Sequence, residues 1–500
     1  MTSISLGLEE PSLLRKVASF LASEGIGAYL VGGYIRDALL GRPTRDVDIA
    51  VVAAAPQVAR RLADALHGKY VLLDEANGIA RVLLPEGHPE AGFQWHFDLS
   101  TVIESIDADL ARRDFTVDAM AVDLAEAAGG EPVPLIDPFR GAGDLDRHLI
   151  RVVSEAAFED DPARLVRAVR LAAEYGFAIE AGSEALLRQQ CRLVRQVAGE
   201  RVKEELCRIL AVSDSARFLA YLDRLGLLTE IVPELAAAKG VEQPREHYWD
   251  VFQHSIETVA ALEGLLDRRG SQDILGHVPQ RLYDAGSQPG EEISHGLTRA
   301  AVTKLAALLH DIAKPRTKTM EPDGRARFFG HTKDGAVMAG DILRRLRFGT
   351  RETRMVQKMI EAHLRLWQMG GQDGLPTRRA IYRYFRDTED VSIDIIFLSL
   401  ADFLATQGPI PDVEQWEQHC RLMDYILTRR EEEATIVSPP KLIDGHDVMR
   451  VFGLKPGSRI GQILDAVREA QGAGEIDTRE GALRFVRSYL TQGQTDEKVI

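Results

Sequence analysis

The chain has 500 residues and a formal net charge of −15, too long for one hydrophobic core and of a length that suggests roughly three or four domains. The acidic balance argues against a general nucleic-acid binder, whose footprint would be basic, but is compatible with a local basic groove. No apolar run approaches ~20 residues, the start MTSISLGLEEPSLLRKVASF lacks a leader pattern, and Cys191, Cys207 and Cys420 form no CxxC pair, which points to a cytoplasmic, non-membrane protein without a disulfide framework or cysteine zinc site.

Residues 1–137 alternate helical patterns with β-branched runs: AYLVGG, DVDIAVV, KYVLLD, ARVLLP, WHFDLSTV and DAMAVDL. This predicts an α+β head with one mixed or antiparallel sheet. Inside it, LVGGYIRDALLGRPTRDVDIAVV places Asp46 and Asp48 on one face of a strand whose Val47 and Ile49 face the core. Carboxylates in such a strand need a cationic partner, and Mg²⁺ fits, because it takes a few carboxylates and completes its shell with phosphate oxygens and water. Gly32 and Gly33, just ahead of a helix, let backbone N–H groups approach phosphates, and Arg36 adds charge. A DxD alone is a weak signal; GG, RD and DxD together are much stronger.

Residues 138–213 read as helical throughout, with Gly176 and Gly199 as helix stops. Asp161 and Arg164 are three apart, and so neighbours on one helical face, offering an acceptor and a forked donor that complement the edges of C and A. Arg167 and Arg170 continue that face towards a triphosphate.

Residues 214–432 stay helical, broken by a loop or insertion at 268–298. They gather His254, His310, Asp311, His331, His363 and Asp402. Any one of these would ordinarily be a satisfied core residue, whereas six in this order suggest a divalent-metal centre, either a transition metal or Mg²⁺. His247 is left outside the ligand set. Arg344, Arg345, Arg347, Arg351, Arg354 and Lys358, followed by Arg378, Arg379, Arg383 and Arg386, offer a local basic surface able to track an RNA backbone. TIVSPPKLIDG reads as a linker, and 433–500 as a helical tail in which GHDVM, with His446 and Asp447, caps a helix.

The run LVGGYIRDALLGRPTRDVDIAVV resembles the signature of the class II tRNA nucleotidyltransferases and bacterial poly(A) polymerases. ARRDFTVDAMAVDL, IDPFRGAGDL, FEDDPARLVRAVRLAAEYGF and ERVKEELCRIL follow in that family's order, up to Leu210. The resemblance implies a polymerase-β-like nucleotidyltransferase head and an all-α neck. It also implies Mg²⁺ on Asp46 and Asp48, nucleotide contacts from Arg113 and Asp114, the latter to the ribose 2′-hydroxyl, and base reading by Asp161 and Arg164. CTP, ATP and the tRNA 3′ end are the partners it suggests. Two departures stand out. Asp118 replaces the family's usual asparagine, and only LSTVIESIDADLA separates Asp98 from RRDF, where complete CCA-adding enzymes of the Gram-positive type carry a longer flexible loop and CC-adding specialists do not.

The histidine pattern resembles the HD phosphohydrolase superfamily. That implies a core set of His254, His310, Asp311 and Asp402, with a second ion on His331 and His363. The tail resembles the C-terminal segment of the same nucleotidyltransferases. The sequence therefore reads as an enzyme adding C and/or A to tRNA, with an HD hydrolase centre. Its rivals are a poly(A) polymerase, a protein whose main activity is HD phosphohydrolysis, and a non-catalytic RNA-binding protein.

Overall fold

The computed structural model describes residues 3–4, 11–85, 94–129, 132–285, 290–294, 296–369, 374–432 and 441–496. The chain divides into two compact units, Met1–Val197 with Tyr221–Ile231, and Ala198–Ala220 with Val232–Ile500.

In the first unit, the strands up to residue 123 are β1 (Ser3–Ile4), β2 (Ala28–Val31), β3 (Asp46–Val51), β4 (Lys69–Asp74), β5 (Ile79–Leu84), β6 (Trp95–Thr101) and β7 (Ala121–Asp123). All six of the β-branched runs enter one mixed sheet, in the order β4-β5-β6-β3-β2-β7. Only β3 and β6 run parallel; the other neighbours are antiparallel. Helices α1 (Pro11–Ser23), α2 (Gly33–Leu39) and α3 (Ala55–Ala65) flank it. Helix α3 and the β4–β5 hairpin make the crossover that a parallel pair requires. Strand alternation sorts the two faces. Val47, Ile49, Val82, Leu84, Phe97 and Leu99 are sealed from solvent, while Asp46, Asp48, Arg81, His96 and Asp98 occupy the alternate, accessible positions.

The helix Arg164–Tyr175 stops as expected at Gly176, whose left-handed backbone returns its N–H to the Ala172 carbonyl. Gly199 does the opposite of what its type suggested, opening the helix Gly199–Ala211. Close approach explains the glycine, since a Cβ there would lie 2.4 Å from the Arg345 carbonyl oxygen.

The second unit is helical. Ser392–Gln407 runs through its centre, buried along nearly its whole length, beside Val251–Leu266, Arg299–Leu309 and Thr350–Ala362. Gly199–Ala211 belongs to this unit, so a boundary at 213 cuts through a folded body. The reason is a buried network: the Lys304 ammonium donates to the carbonyls of Leu210 and Val212 at 3.0 and 2.7 Å. It also pairs with Glu263 at 2.9 Å, and Glu263 accepts from the Ser215 N–H and hydroxyl, both at 2.6 Å.

The expected loop at 268–298 contains short helices, Gln272–Leu275 and Gln280–Asp284, and a pair of strands, Glu292–Ser294 and Leu297–Thr298. It is tied down by buried Leu282 and by the Trp416 indole N–H, which donates to the Ile274 carbonyl. Residues 435–440 of the linker TIVSPPKLIDG lie outside the described residues. The tail helices Gly445–Phe452, Ser458–Gly472 and Arg479–Asp496 share a core of Val448, Ile463, Val467 and Val486. Asp447 of GHDVM completes a capping box with Asp444, as its sequence suggested. Among the described residues, no helix is long and apolar enough to cross a membrane.

Removing Glu263 would strand a buried ammonium. Glu263→Ala should lower unfolding free energy by ~3–5 kcal/mol, and Lys304→Met added to it should recover part of that loss. Urea titration of both variants checks this, and a loss under ~1 kcal/mol in the single variant would refute it.

Candidate active site and metal centre

Parallel pairing of β3 with β6 sets Asp46 opposite His96 and Asp48 opposite Asp98. Antiparallel pairing with β5 sets Arg81 opposite Asp98. Three carboxylates therefore share one face. Asp98 is the one that sequence reasoning passed over, although the alternation in WHFDLST marks it as surface-facing. Arg81 holds both Asp98 oxygens at 2.6 Å and reaches to 3.8 Å of Asp46. Burial, together with the neighbouring carboxylates of Asp46, Asp98 and Asp118, pushes the Asp48 carboxyl up to about 7 against the pull of Arg113. Arg81 and Arg113 thus bring cationic charge to this face.

Gly32, with φ 67°, turns β2 into α2. A Cβ there would lie 2.5 Å from Arg113 Nη1 and 3.0 Å from Asp48 Oδ2, so glycine permits both the backbone turn and the close approach. Arg113 also donates to Asp109 at 3.3 Å.

Arg36, expected to face phosphate, is instead turned inward. It is 7 % exposed, bonds Asp118 and Asp37, and lies 4.4 Å from the Tyr175 ring centroid. Burial opposes its charge, yet Asp118, Tyr175 and Asp37 hold the guanidinium above its ordinary range. Asp118, the departure from asparagine, is thereby given a full charge partner.

Asp161 and Arg164 do not share a helical face. Asp161 is extended, φ −147° and ψ 96°, because the residue before a proline avoids the helical region. It precedes the helix that Arg164 begins. The two remain near neighbours, Arg164 Nε to Asp161 Oδ2 being 4.0 Å. Two carbonyls orient the guanidinium, Ala157 at 3.2 Å and Arg112 at 2.8 Å. Arg167 donates to Asp114 at 3.1 Å. Although Asp114 is buried, Arg167 holds its carboxyl below the ordinary range. Arg170 is buried and pairs with Glu174 at 2.9 Å.

In the second unit all six sequence-selected ligands converge. His254 lies in Val251–Leu266, His310 and Asp311 follow Arg299–Leu309, His331 opens His331–Arg345, His363 ends Thr350–Ala362, and Asp402 lies in Ser392–Gln407. His254 Nε2 is 3.0 Å from Asp402 and 3.3 Å from His310 Nε2. Asp311 lies 3.1 Å from His310, 3.5 Å from His331 and 3.9 Å from His363. The tightest ligand groups are His254, His310 and Asp402, and His310, Asp311 and His363. His310 is thus common to both, which differs from a core set plus a separate His331–His363 pair.

The donor chemistry fits a divalent ion. Nδ1 of His310, His331 and His363 faces the carbonyl oxygens of Ala307, Phe328 and Ile360 at 2.8, 2.6 and 2.7 Å, which leaves each Nε2 as the inward lone pair. Burial holds His254, His331 and His363 below their ordinary values, His363 at about 4, so they are neutral and able to ligate, whereas Asp311 and Asp402 hold His310 above its ordinary value against its burial, so that an ion bound there displaces its proton. His331 Nε2 is buried with no hydrogen-bond partner. Sequence reasoning also missed Lys314, one turn past Asp311, whose ammonium is 2.6 Å from Asp311 and 2.7 Å from Gln243.

The basic stretch is neutralised in place. Arg344 pairs with Asp341, Arg345 with Glu234, Arg347 with Glu200, Arg351 with Glu291, and both Arg354 and Lys358 with Glu389. Glu469 takes Arg379, Arg383 and Arg386. These are solvated ion pairs rather than a bare groove.

Comparison with known proteins follows the same division. Residues 28–151 match the poly A polymerase head domain, 251–407 the HD domain, and 176–239 the segment described as "Probable RNA and SrmB- binding site of polymerase A". The A-adding tRNA nucleotidyltransferase of Deinococcus radiodurans is 34% identical over 472 residues, covering 93% of this chain and 96% of that protein. The CC-adding tRNA nucleotidyltransferase of Thermus thermophilus is 32% identical over 470 residues, covering 92% and 93%. In fold, the chain is similar to a CCA-adding enzyme solved with ATP, with TM-score 0.62 at 20% identity over 96% and 94% of the two chains. The Thermotoga maritima CCA-adding enzyme complexed with tRNA gives 0.59 at 21% identity over 96% and 95%.

The raised Asp48 value has a testable consequence. Its folded value, about 7, lies above the ordinary 3.8, so the metal-free fold is favoured by protonation and loses that contribution as pH rises through 7. A divalent ion must displace the same proton. Mn²⁺ affinity of the head, measured by electron paramagnetic resonance in an Asp311→Ala background, should fall about tenfold per pH unit below 7. A flat profile would refute the shift, and Asp48→Asn should remove the dependence.

Proposed function

The chain belongs to the tRNA nucleotidyltransferase family with a poly(A) polymerase head, and from that premise we propose that it extends the 3′ end of tRNA with C and/or A drawn from CTP and ATP. The observation that carries this reading is the carboxylate row of Asp46, Asp48 and Asp98, with Gly32 and Arg113 crowded against Asp48. The terminal ribose hydroxyl forms a bond to the α-phosphorus of the incoming nucleotide, the bond to the β-phosphate oxygen breaks, pyrophosphate leaves, and the hydroxyl proton passes to solvent. Asp46 and Asp48 would hold Mg²⁺, which when bound supplies charge to the attacking and leaving oxygens.

The chain's own residues do the rest by positioning. The N–H groups at the start of α2 and the Arg113 guanidinium meet the phosphates. Asp114, fixed by Arg167, accepts from the ribose. Asp161 and Arg164 read the base, Arg164 with its guanidinium already oriented by two carbonyls. Arg36 and Arg170 support this wall from behind through Asp118 and Glu174. Only residues 102–105 separate β6 from the short helix Ile106–Ala111. That brevity, and relatives named for A or CC addition, favour partial addition over the full CCA sequence.

The histidine cluster supports a second activity, metal-dependent phosphohydrolysis at RNA ends. His254, His310, Asp311, His331, His363 and Asp402 would hold the ion or ions, which when bound supply an activated water.

Incubating the protein with tRNA ending at the discriminator base, at C or at CC, with each nucleotide separately, should give C or A incorporation. Incorporation of C eliminates a poly(A) polymerase, and no incorporation on any of these ends eliminates the whole reading. Asp46→Ala with Asp48→Ala should reduce transfer by at least about 10³-fold and spare cleavage of 2′,3′-cyclic phosphates. Asp311→Ala should have the converse effect; loss of both activities from either change would overturn the two-centre assignment.

A further inference from the structure

His247 stands outside the ligand set of the histidine cluster, yet it joins that cluster to a cavity. Its ring centroid lies 5.5 Å from that of His254, and its Nδ1 is buried with no hydrogen-bond partner. With Gln243, Arg245, Lys318, Arg325 and Arg327 it lines a cavity of about 810 Å³ within the second unit. Gln243 makes a second link, accepting at 2.7 Å from Lys314, whose ammonium is 2.6 Å from Asp311. The strand pair Lys318–Met320 and Ala326–Phe328 makes a third, because the Phe328 carbonyl faces His331 Nδ1 at 2.6 Å. Lys318 donates to the Glu242 carbonyl at 2.8 Å and so fixes this hairpin to the segment 242–247. Among the six ligands, His331, beside the hairpin, and Asp402, 3.0 Å from His254, keep 8 % exposure each, whereas the other four keep 1 % or less. The cavity therefore shares a wall with the cluster on the side where ligands remain accessible.

We propose that this cavity receives the nucleotides on the 5′ side of the phosphate at which the cluster acts, which makes its substrate the 3′ end of an RNA strand and not a single small phosphoester. The assignment rests on the phosphohydrolase reading of that centre. The volume stands high in the ~300–1,000 Å³ range of small-ligand clefts, more than one phosphate group fills. The charge favours a phosphodiester, since four arginines and lysines line the cavity against the three carboxylates of Glu242, Glu246 and Asp323. Arg325 is held by Asp323 at 3.1 Å and Arg327 by Glu321 at 3.2 Å, and Lys318 by its carbonyl. Arg245, exposed and two residues from His247, is left to meet the phosphodiester that precedes the terminal phosphate, while His247 hydrogen-bonds the nucleotide between them.

Kinetics with two substrates that share one end separate these roles. A tetranucleotide ending in a 2′,3′-cyclic phosphate should have a KM about tenfold below that of the mononucleotide 2′,3′-cyclic phosphate, the scale of one charge-assisted hydrogen bond. Arg245→Ala should raise the tetranucleotide KM about tenfold and the mononucleotide KM less than about twofold, and Arg245→Lys should recover part of the loss. Ala326→Trp, which fills the cavity, should raise both. Equal KM for the two substrates in the unmodified protein would overturn the proposal. Occupancy is read without catalysis: a short RNA carrying 4-thiouridine beside a 3′-phosphate, irradiated with the protein in EDTA, should crosslink to residues 242–247 or 318–327 and lose that crosslink in Ala326→Trp. Crosslinks confined to residues 1–197 would also overturn it. If the metal-loaded protein hydrolyses no phosphoester, the phosphohydrolase reading fails; the crosslinks still decide whether RNA enters the cavity.

Discussion

The register between β3 and β6 is the constraint on which the head depends. Because Asp48 stands opposite Asp98 in the only parallel pair of the sheet, Val47, Ile49, Phe97 and Leu99 point into the core and the acids point out. A one-residue slip of either strand would exchange these sets, burying carboxylates and exposing valine, isoleucine, phenylalanine and leucine. The arrangement concentrates negative charge on one surface. Arg81 arrives from β5 by the same register rule, and Arg113 is admitted beside Asp48 because Gly32 has no Cβ. The elevated Asp48 value comes first from its burial and then from the neighbouring carboxylates, which Arg113 offsets only in part.

A different local device builds the second centre. His310 and His363 each sit at the end of a helix and His331 at the start of one, and each Nδ1 faces the carbonyl three residues earlier. The helix ends before His310 and His363 leave carbonyls without intrahelical partners, so each of those rings satisfies one while aiming Nε2 inward, and His331 makes the equivalent bond to Phe328 in the strand ahead of its helix. The repeated device fixes the tautomer and the direction together. Asp311 then sits among His310, His331 and His363, with Lys314 one turn on as its counter-ion.

What was legible in the sequence was whatever depended on short-range periodicity. Six alternating runs became six strands of one sheet, and the capping role of Asp447 followed from spacing. What was not legible depended on partners far along the chain. Arg345 looked like a free cation until Glu234 met it, and Lys304 marks no boundary in sequence yet joins Leu210 to Glu263. Asp161 is the instructive exception. Its extended backbone is readable from Pro162, whose local restriction overrides the three-residue spacing. Asp98 is likewise legible from the alternation of WHFDLST.

The acid at position 118 shows how a departure from a family pattern is absorbed. A buried carboxylate is tolerable only against a cation with good geometry. Arg36 supplies that geometry, since Nη1 takes Asp118 while Nε takes Asp37 at 3.0 Å, and Tyr175 donates to the same Asp37 at 2.8 Å. An amide at 118 would leave the guanidinium with one fewer anion in a setting where it is 7 % exposed. The aspartate therefore strengthens the hold on Arg36, and with it the orientation of α2. The cost falls on Asp118 itself, whose burial among Asp114 and other groups raises its pKa despite Arg36. Arg36 is thereby held in the wall behind the carboxylate face, which leaves Arg113 as the guanidinium in close approach to Asp48.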